Sequence, residues 1–150
     1  MRPFRRRRDG QIAVNLNDAG RDFVRHVFRE IVAAEYDDDG VIHPVIYARI
    51  TPGLDHDDPT RLFERQQEVS SVAERALQTC DDDLLNDSDA WAWLRTIQVA
   101  LRSHAFGRDI RTAQDYQQVE GDLRGYLESL QYLAWGLARA LSSERFTSGR

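Results

Sequence analysis

AQDYQQVEGDLRGYLESLQYLAWGLARALS, residues 113–142, is the stretch whose spacing decides the fold. Val119, Leu123, Tyr126, Leu130, Leu133, Leu137 and Ala140 recur three and four residues apart. That period matches the turn of an α-helix, so these side chains line one stripe. Leu127, Ala134 and Leu141 widen it. A stripe this broad needs apolar neighbours on more than one side, as at the centre of a helical bundle. The spacing predicts one continuous helix from Ala113 to Ser142, with a polar, frayed tail over 143–150. Gly121 and Gly125 form a GxxxG pair, read as close packing of this helix on a neighbour.

Three further helices are expected upstream. Asp87 or Ser88 caps one that runs to about Ala105, with Trp91, Leu94, Ile97, Leu101 and Ala105 as its stripe, and Gly107 stops it. Trp91 and Trp93 lie two apart and cannot share a helix face, so one of them is exposed. Residues 59–79 form another helix, with Leu62, Phe63, Val69, Val72, Ala73, Ala76, Leu77 and Cys80 on its buried side. CDDDLLNDSD, residues 80–89, reads as an acidic break. Asn17 or Asp18 caps a helix to about Glu35 that carries Phe23, Val24, Val27, Phe28, Ile31 and Val32. Between these, residues 36–60 are dense in turn signals. Within them VIYARI, residues 45–50, reads as a single helical turn or a brief strand, which periodicity does not separate; Pro44 before it and Pro52-Gly53 after it favour the helical turn.

The start of the chain has a different period. Ile12, Val14 and Leu16 alternate, Asp9-Gly10 signals a two-residue turn, and Phe4 with the arginines supplies a second arm. The expected fold class is therefore mainly α: a helical bundle of about four or five helices with an N-terminal β-hairpin. It forms a single domain over 1–150, with the hairpin at 3–16 and the bundle at 17–142.

The chain has 150 residues, enough to bury a substantial core, and a formal net charge of -5. A chain that acidic is not a general polyanion binder, although a local basic patch can still exist. All 20 basic side chains are Arg, so a lysine Schiff base or a P-loop lysine is excluded. Cys80 is the single cysteine, which excludes an intramolecular disulfide. No apolar signal core follows the arginines and no stretch is long enough to span a membrane, so the expected location is the cytoplasm.

No catalytic, cofactor-binding or metal motif stands out. The Asp clusters at 37–39, 55–58 and 81–83 lack the alternation of a calcium loop and read as solvated loops. His26, His43, His56 and His104 have no partner at zinc-site spacing. Cys80 falls in step with Val69, Ala73 and Leu77, which makes it a small buried hydrophobe; the alternative is a redox-responsive thiol. The charge feature is the run Arg5, Arg6, Arg7 and Arg8, joined by a ridge of Arg21, Arg25 and Arg29 four residues apart. These seven are the candidate partner-contact residues. The plainer reading is an edge strand protected by charge, beside a solvated helix face.

Four strings carry a resemblance: FRRRRDG at the start, HPVIYARITPG in the loop region, WLRTIQVALRSHAFG and YLESLQYLAWGLARAL in the last two helices. Together, and in that order, they resemble an actinobacterial domain-of-unknown-function family that includes the oxidative stress regulator AosR. Members are typically encoded near the ClpS protease adaptor. The resemblance implies a non-enzymatic regulator in oxidative stress transcription control, with a sigma factor or the transcription machinery as partner. The redox mechanism associated with that regulator uses two nearby cysteines, and this chain has only Cys80, so an internal disulfide switch does not carry over. The pattern also shows Asp where this chain has His43. Direct DNA binding through the arginines ranks second and a small enzyme third. The sequence leaves a homodimer open.

Overall fold

Asn17 does what its position implies: its Oδ1 accepts the Gly20 amide at 2.8 Å and starts helix α1, Asp18–Ala33. The computed structural model describes residues 2–33, 59–107, 112–118 and 121–143. The hairpin strands are β1, Phe4–Arg6, and β2, Ile12–Val14. After α1 come α2 at Pro59–Gln78, β3 at Leu84–Leu85, α3 at Asp87–Gly107, α4 at Ala113–Gln117 and α5 at Gly121–Ser142. The protein is thus mainly helical, with a small antiparallel sheet. The 45–50 turn, the Asp clusters at 37–39 and 55–58, His43, His56 and the tail from 144 lie outside the described residues.

The hairpin is built differently from a two-residue turn. The Arg7 amide donates to the Gln11 carbonyl at 2.7 Å, and the Gly10 amide to the Arg7 carbonyl at 3.1 Å. The loop is therefore Arg8-Asp9-Gly10, a turn closed by Gly10 at φ 91°. This is the three-residue hairpin that needs glycine at its left-handed position. Phe4 pairs with Val14 and Arg6 with Ile12, which puts Phe4, Ile12 and Val14 on the buried face.

The acidic break conceals a third strand. Leu85 pairs with Ile12 and Leu84 with Ala13, giving the sheet order β1-β2-β3. Leu85 is fully buried. Asn86, rather than Asp87 or Ser88, caps α3, its Oδ1 accepting the Asp89 amide at 2.8 Å.

Helix α3 packs against α1, α2 and α5, and the phase of its buried face differs from the expected stripe. Trp93 is fully buried, whereas Trp91 is 50% exposed. The Trp93 ring stands edge-on to Phe4 and Phe28, and its indole N–H donates to Thr79 Oγ1 at 2.7 Å. Val24, Val27, Phe28 and Ile31 of α1 close the core from one side, and Leu130, Leu133, Leu137 and Leu141 of α5 from another. Each such side chain contributes about 1.5–3 kcal/mol by leaving water.

The last helix is not continuous. Thr112 opens α4 with a reciprocal cap, its Oγ1 accepting the Asp115 amide at 3.0 Å while Asp115 accepts the Thr112 amide at 3.2 Å. Helix α5 restarts at Gly121, which takes φ 70°. Gly121 and Gly125 do not mediate close packing: a Cβ on either meets nothing within 4 Å. The close approach is at Gly136, where a Cβ would sit 3.1 Å from Pro3 Cγ and 3.2 Å from Phe4 Cδ2. The absence of a side chain there lets β1 lie on α5.

Candidate functional site

The seven arginines of the expected contact surface have separate fates. Arg6 keeps only 7% of its side chain exposed. It donates to the Ala140, Leu141 and Gly10 carbonyls and pairs with Asp87 at 2.5 Å. Arg21 wraps the 80–83 loop. It donates to the Cys80 and Asp82 carbonyls at 3.1 and 2.6 Å and pairs with Asp83 at 3.1 Å. Arg25 pairs with Asp22 and Asp81, and the Asp81 carboxylate raises its pKa further above the usual range. Arg7 pairs with Asp9 inside the hairpin. Arg5, Arg8 and Arg29 are exposed.

The ridge is not a basic surface. Arg21 and Arg25 line an open depression together with Asp18, Asp22, Asp81 and Asp83. Four carboxylates against two guanidinium groups leave that surface net negative, which opposes a phosphate backbone. Of the expected cationic ridge, Arg21 and Arg25 hold the 80–83 loop to α1, and Arg29 stays exposed.

Cys80 is buried, with 4% of its surface exposed, and its thiol is free. It lies within the hydrophobic core cluster. Among the described residues no cluster of His, Cys, Asp and Glu could hold a metal ion.

Sequence reasoning missed one polar assembly. His104 Nε2 lies 2.9 Å from Glu30 Oε1, and the Tyr126 hydroxyl donates to the same oxygen at 3.4 Å. The His104 and Tyr126 rings meet edge-on at 4.9 Å, and Phe23 meets Tyr126 edge-on at 5.4 Å. The group ties α1, α3 and α5 together. The hydrogen bond from His104 holds the Glu30 carboxyl below its usual range; partial burial acts the other way and is outweighed. A carboxyl lowered on folding adds stability above its unfolded pKa, near 4.5, and loses it as pH falls through the folded value. Urea denaturation of wild type and Glu30→Gln should therefore show a stability gap that is widest at neutral pH and narrows as pH drops below 4.5. A gap independent of pH would mean that the Glu30 charge contributes nothing. No spacing rule relates Glu30, His104 and Tyr126, so no sequence signal announced them.

Among the described residues, two surfaces carry exposed aromatic side chains. On α3, Trp91, Arg95, Gln98 and Arg102 follow at helical spacing along the outer face. Beside them, a shallow cavity of about 80 Å³ lies between α2 and α3. Val69, Val72 and Val99 are among its lining residues, as are Arg95 and Arg102. Arg95 also pairs with Glu68 across the groove at 2.7 Å. On α5, Tyr132 and Trp135 are 53% and 60% exposed. Chemically, the α3 surface offers apolar contact flanked by guanidinium groups. That suits a protein segment with apolar anchors and carboxylates. Among the described residues no helix is long and apolar enough to cross a membrane. Comparison with family models, with curated proteins and with solved structures finds no match.

Proposed function

We propose that this protein is a non-enzymatic cytoplasmic regulator that acts by binding a protein partner. The observation that supports this most directly is the half-exposed Trp91 on one helix face with Arg95 and Arg102, beside a groove in which Val69, Val72 and Val99 mix with Arg95, Thr96, Gln98 and Arg102. Tryptophan and arginine are the residues that most often anchor protein interfaces. An acidic, amphipathic segment of the partner would place apolar side chains against the valines and carboxylates against the guanidinium groups. The resemblance to the family with an oxidative stress regulator makes a sigma factor or another part of the transcription machinery the leading partner class. DNA is not favoured, because Arg21 and Arg25 sit among carboxylates and Arg6 is spent inside the fold.

The test is affinity capture from native extract with wild type, Trp91→Ala and Arg102→Glu, each with and without peroxide, and with a Cys80→Ser control. Capture of a sigma factor or polymerase subunit by wild type, and its loss in both surface variants, is the expected result. Equal capture by all three proteins removes the α3 surface from the function. Loss of peroxide response in Cys80→Ser would tie the thiol to regulation; an unchanged response would leave Cys80 as core.

A further inference from the structure

Gly125, Glu128, Tyr132, Trp135, Arg139 and Ser142 repeat at spacings of three and four residues along α5, and all six are exposed. They form a second stripe, opposite the one that enters the core. A 3-4 repeat is the seam by which one helix packs along another. Among the described residues, no other element packs on this seam. A Cβ on Gly125 would meet nothing within 4 Å, and Tyr132 and Trp135 are 53% and 60% exposed. The Arg139 guanidinium lies 4.6 Å from the Trp135 ring centroid. Glu128 accepts from Arg124 at 2.9 Å in a pair that is itself solvent-exposed.

The seam is complementary to itself in one orientation. When two copies of α5 run antiparallel about a twofold axis between Leu133 and Ala134, Tyr132 meets the partner's Trp135. Glu128 then meets the partner's Arg139, and Gly125 meets the partner's Ser142. The aromatic side chains fill the centre, opposite charges flank them, and the smallest residues lie outermost, where they let the helices approach. A parallel pairing would instead set Arg139 against the partner's Arg139. We propose that the protein forms an isologous homodimer through this face of α5. The surface is distinct from the α3 groove, so a dimer presents two such grooves. One helix seam is small for a protein interface, so the association is micromolar rather than nanomolar.

Sedimentation of the purified full chain over a concentration series tests this. Wild type should shift from monomer to dimer across the series, and Trp135→Ala should remain monomeric. Glu128→Arg and Arg139→Glu each turn two attractive pairs per dimer into repulsive ones, and should weaken association about tenfold. The double variant exchanges the two charges and should recover most of that loss. Recovery separates the seam from misfolding, which a second substitution would not repair. A wild type that stays monomeric overturns the proposal. So does a double variant no better than either single one. The α3 reading is unaffected by any of these results, because its variants leave α5 intact.

Discussion

Trp93→Ala is expected to lower stability by about 3–5 kcal/mol. Trp93 is fully enclosed, and three elements depend on it. Phe4 of β1 and Phe28 of α1 meet its ring edge-on at 6.0 and 5.2 Å, and Thr79, just beyond α2, accepts its indole N–H. Alanine leaves a cavity at the junction of hairpin and bundle that rigid neighbours only partly refill, and it leaves the Thr79 hydroxyl without its donor. For a chain of this length such a loss lowers the thermal midpoint by roughly 10 °C. Trp91→Ala, two residues away, should change stability by no more than about 0.5 kcal/mol, because half of that ring is already in water. Urea titration of both variants checks the contrast. Equal losses would mean that α3 packs with a different face inward.

The same contrast shows what the sequence could reveal. Helices α1 and α5 lie at the edge of the core and bury one side only. Val24, Val27, Phe28 and Ile31, like Leu130, Leu133 and Leu137, therefore fall on the stripes that periodicity finds. Helix α3 has neighbours on three sides. Ala90, Ala92, Trp93, Leu94, Thr96, Ile97 and Ala100 are all buried, and burial this wide leaves only a narrow polar face to read. Trp91 lies in phase with Arg95, Gln98 and Arg102 on that face, whereas a stripe drawn through apolar residues alone also passes through it. Strand β3 is two residues long, too short for alternation to show. The GxxxG pair is no guide to packing here: Gly125 faces away from the core, and the contact that requires glycine is at Gly136, outside the motif. For the contact surface, exposure of one tryptophan was legible from the spacing of Trp91 and Trp93. The groove beside it was not, because it depends on how α2 lies on α3.

Arg6→Ala should cost about 2–4 kcal/mol. An arginine in a run of four reads as surface charge, and Arg5→Ala should indeed be close to neutral, because Arg5 is exposed. Arg6 points inward from the same strand, and its donors converge on three separated parts of the chain. Nε and Nη2 reach the Ala140 and Leu141 carbonyls at 3.2 and 3.3 Å. Nη1 reaches the Gly10 carbonyl at 2.6 Å and the Asp87 carboxylate. Carbonyls in the last turn of a helix have no partner within it, and a cation placed there also meets the negative end of the helix dipole. Asp87, in the first turn of α3, puts a carboxylate at the opposite, positive end of its own helix. One guanidinium therefore satisfies the end of α5, the start of α3 and the hairpin turn together. Asp87 is 45% exposed and can regain water, so Asp87→Ala should cost about 1 kcal/mol or less. A double-mutant cycle should show that most of the Arg6 loss belongs to the carbonyls rather than to the ion pair. Arg6→Lys should recover less than half of it, because an ammonium cannot span the separate acceptors as the planar guanidinium does. If Arg6→Ala proved as mild as Arg5→Ala, the hairpin would be held by its apolar face and its pairing with β3. The arginine run would then return to being surface charge.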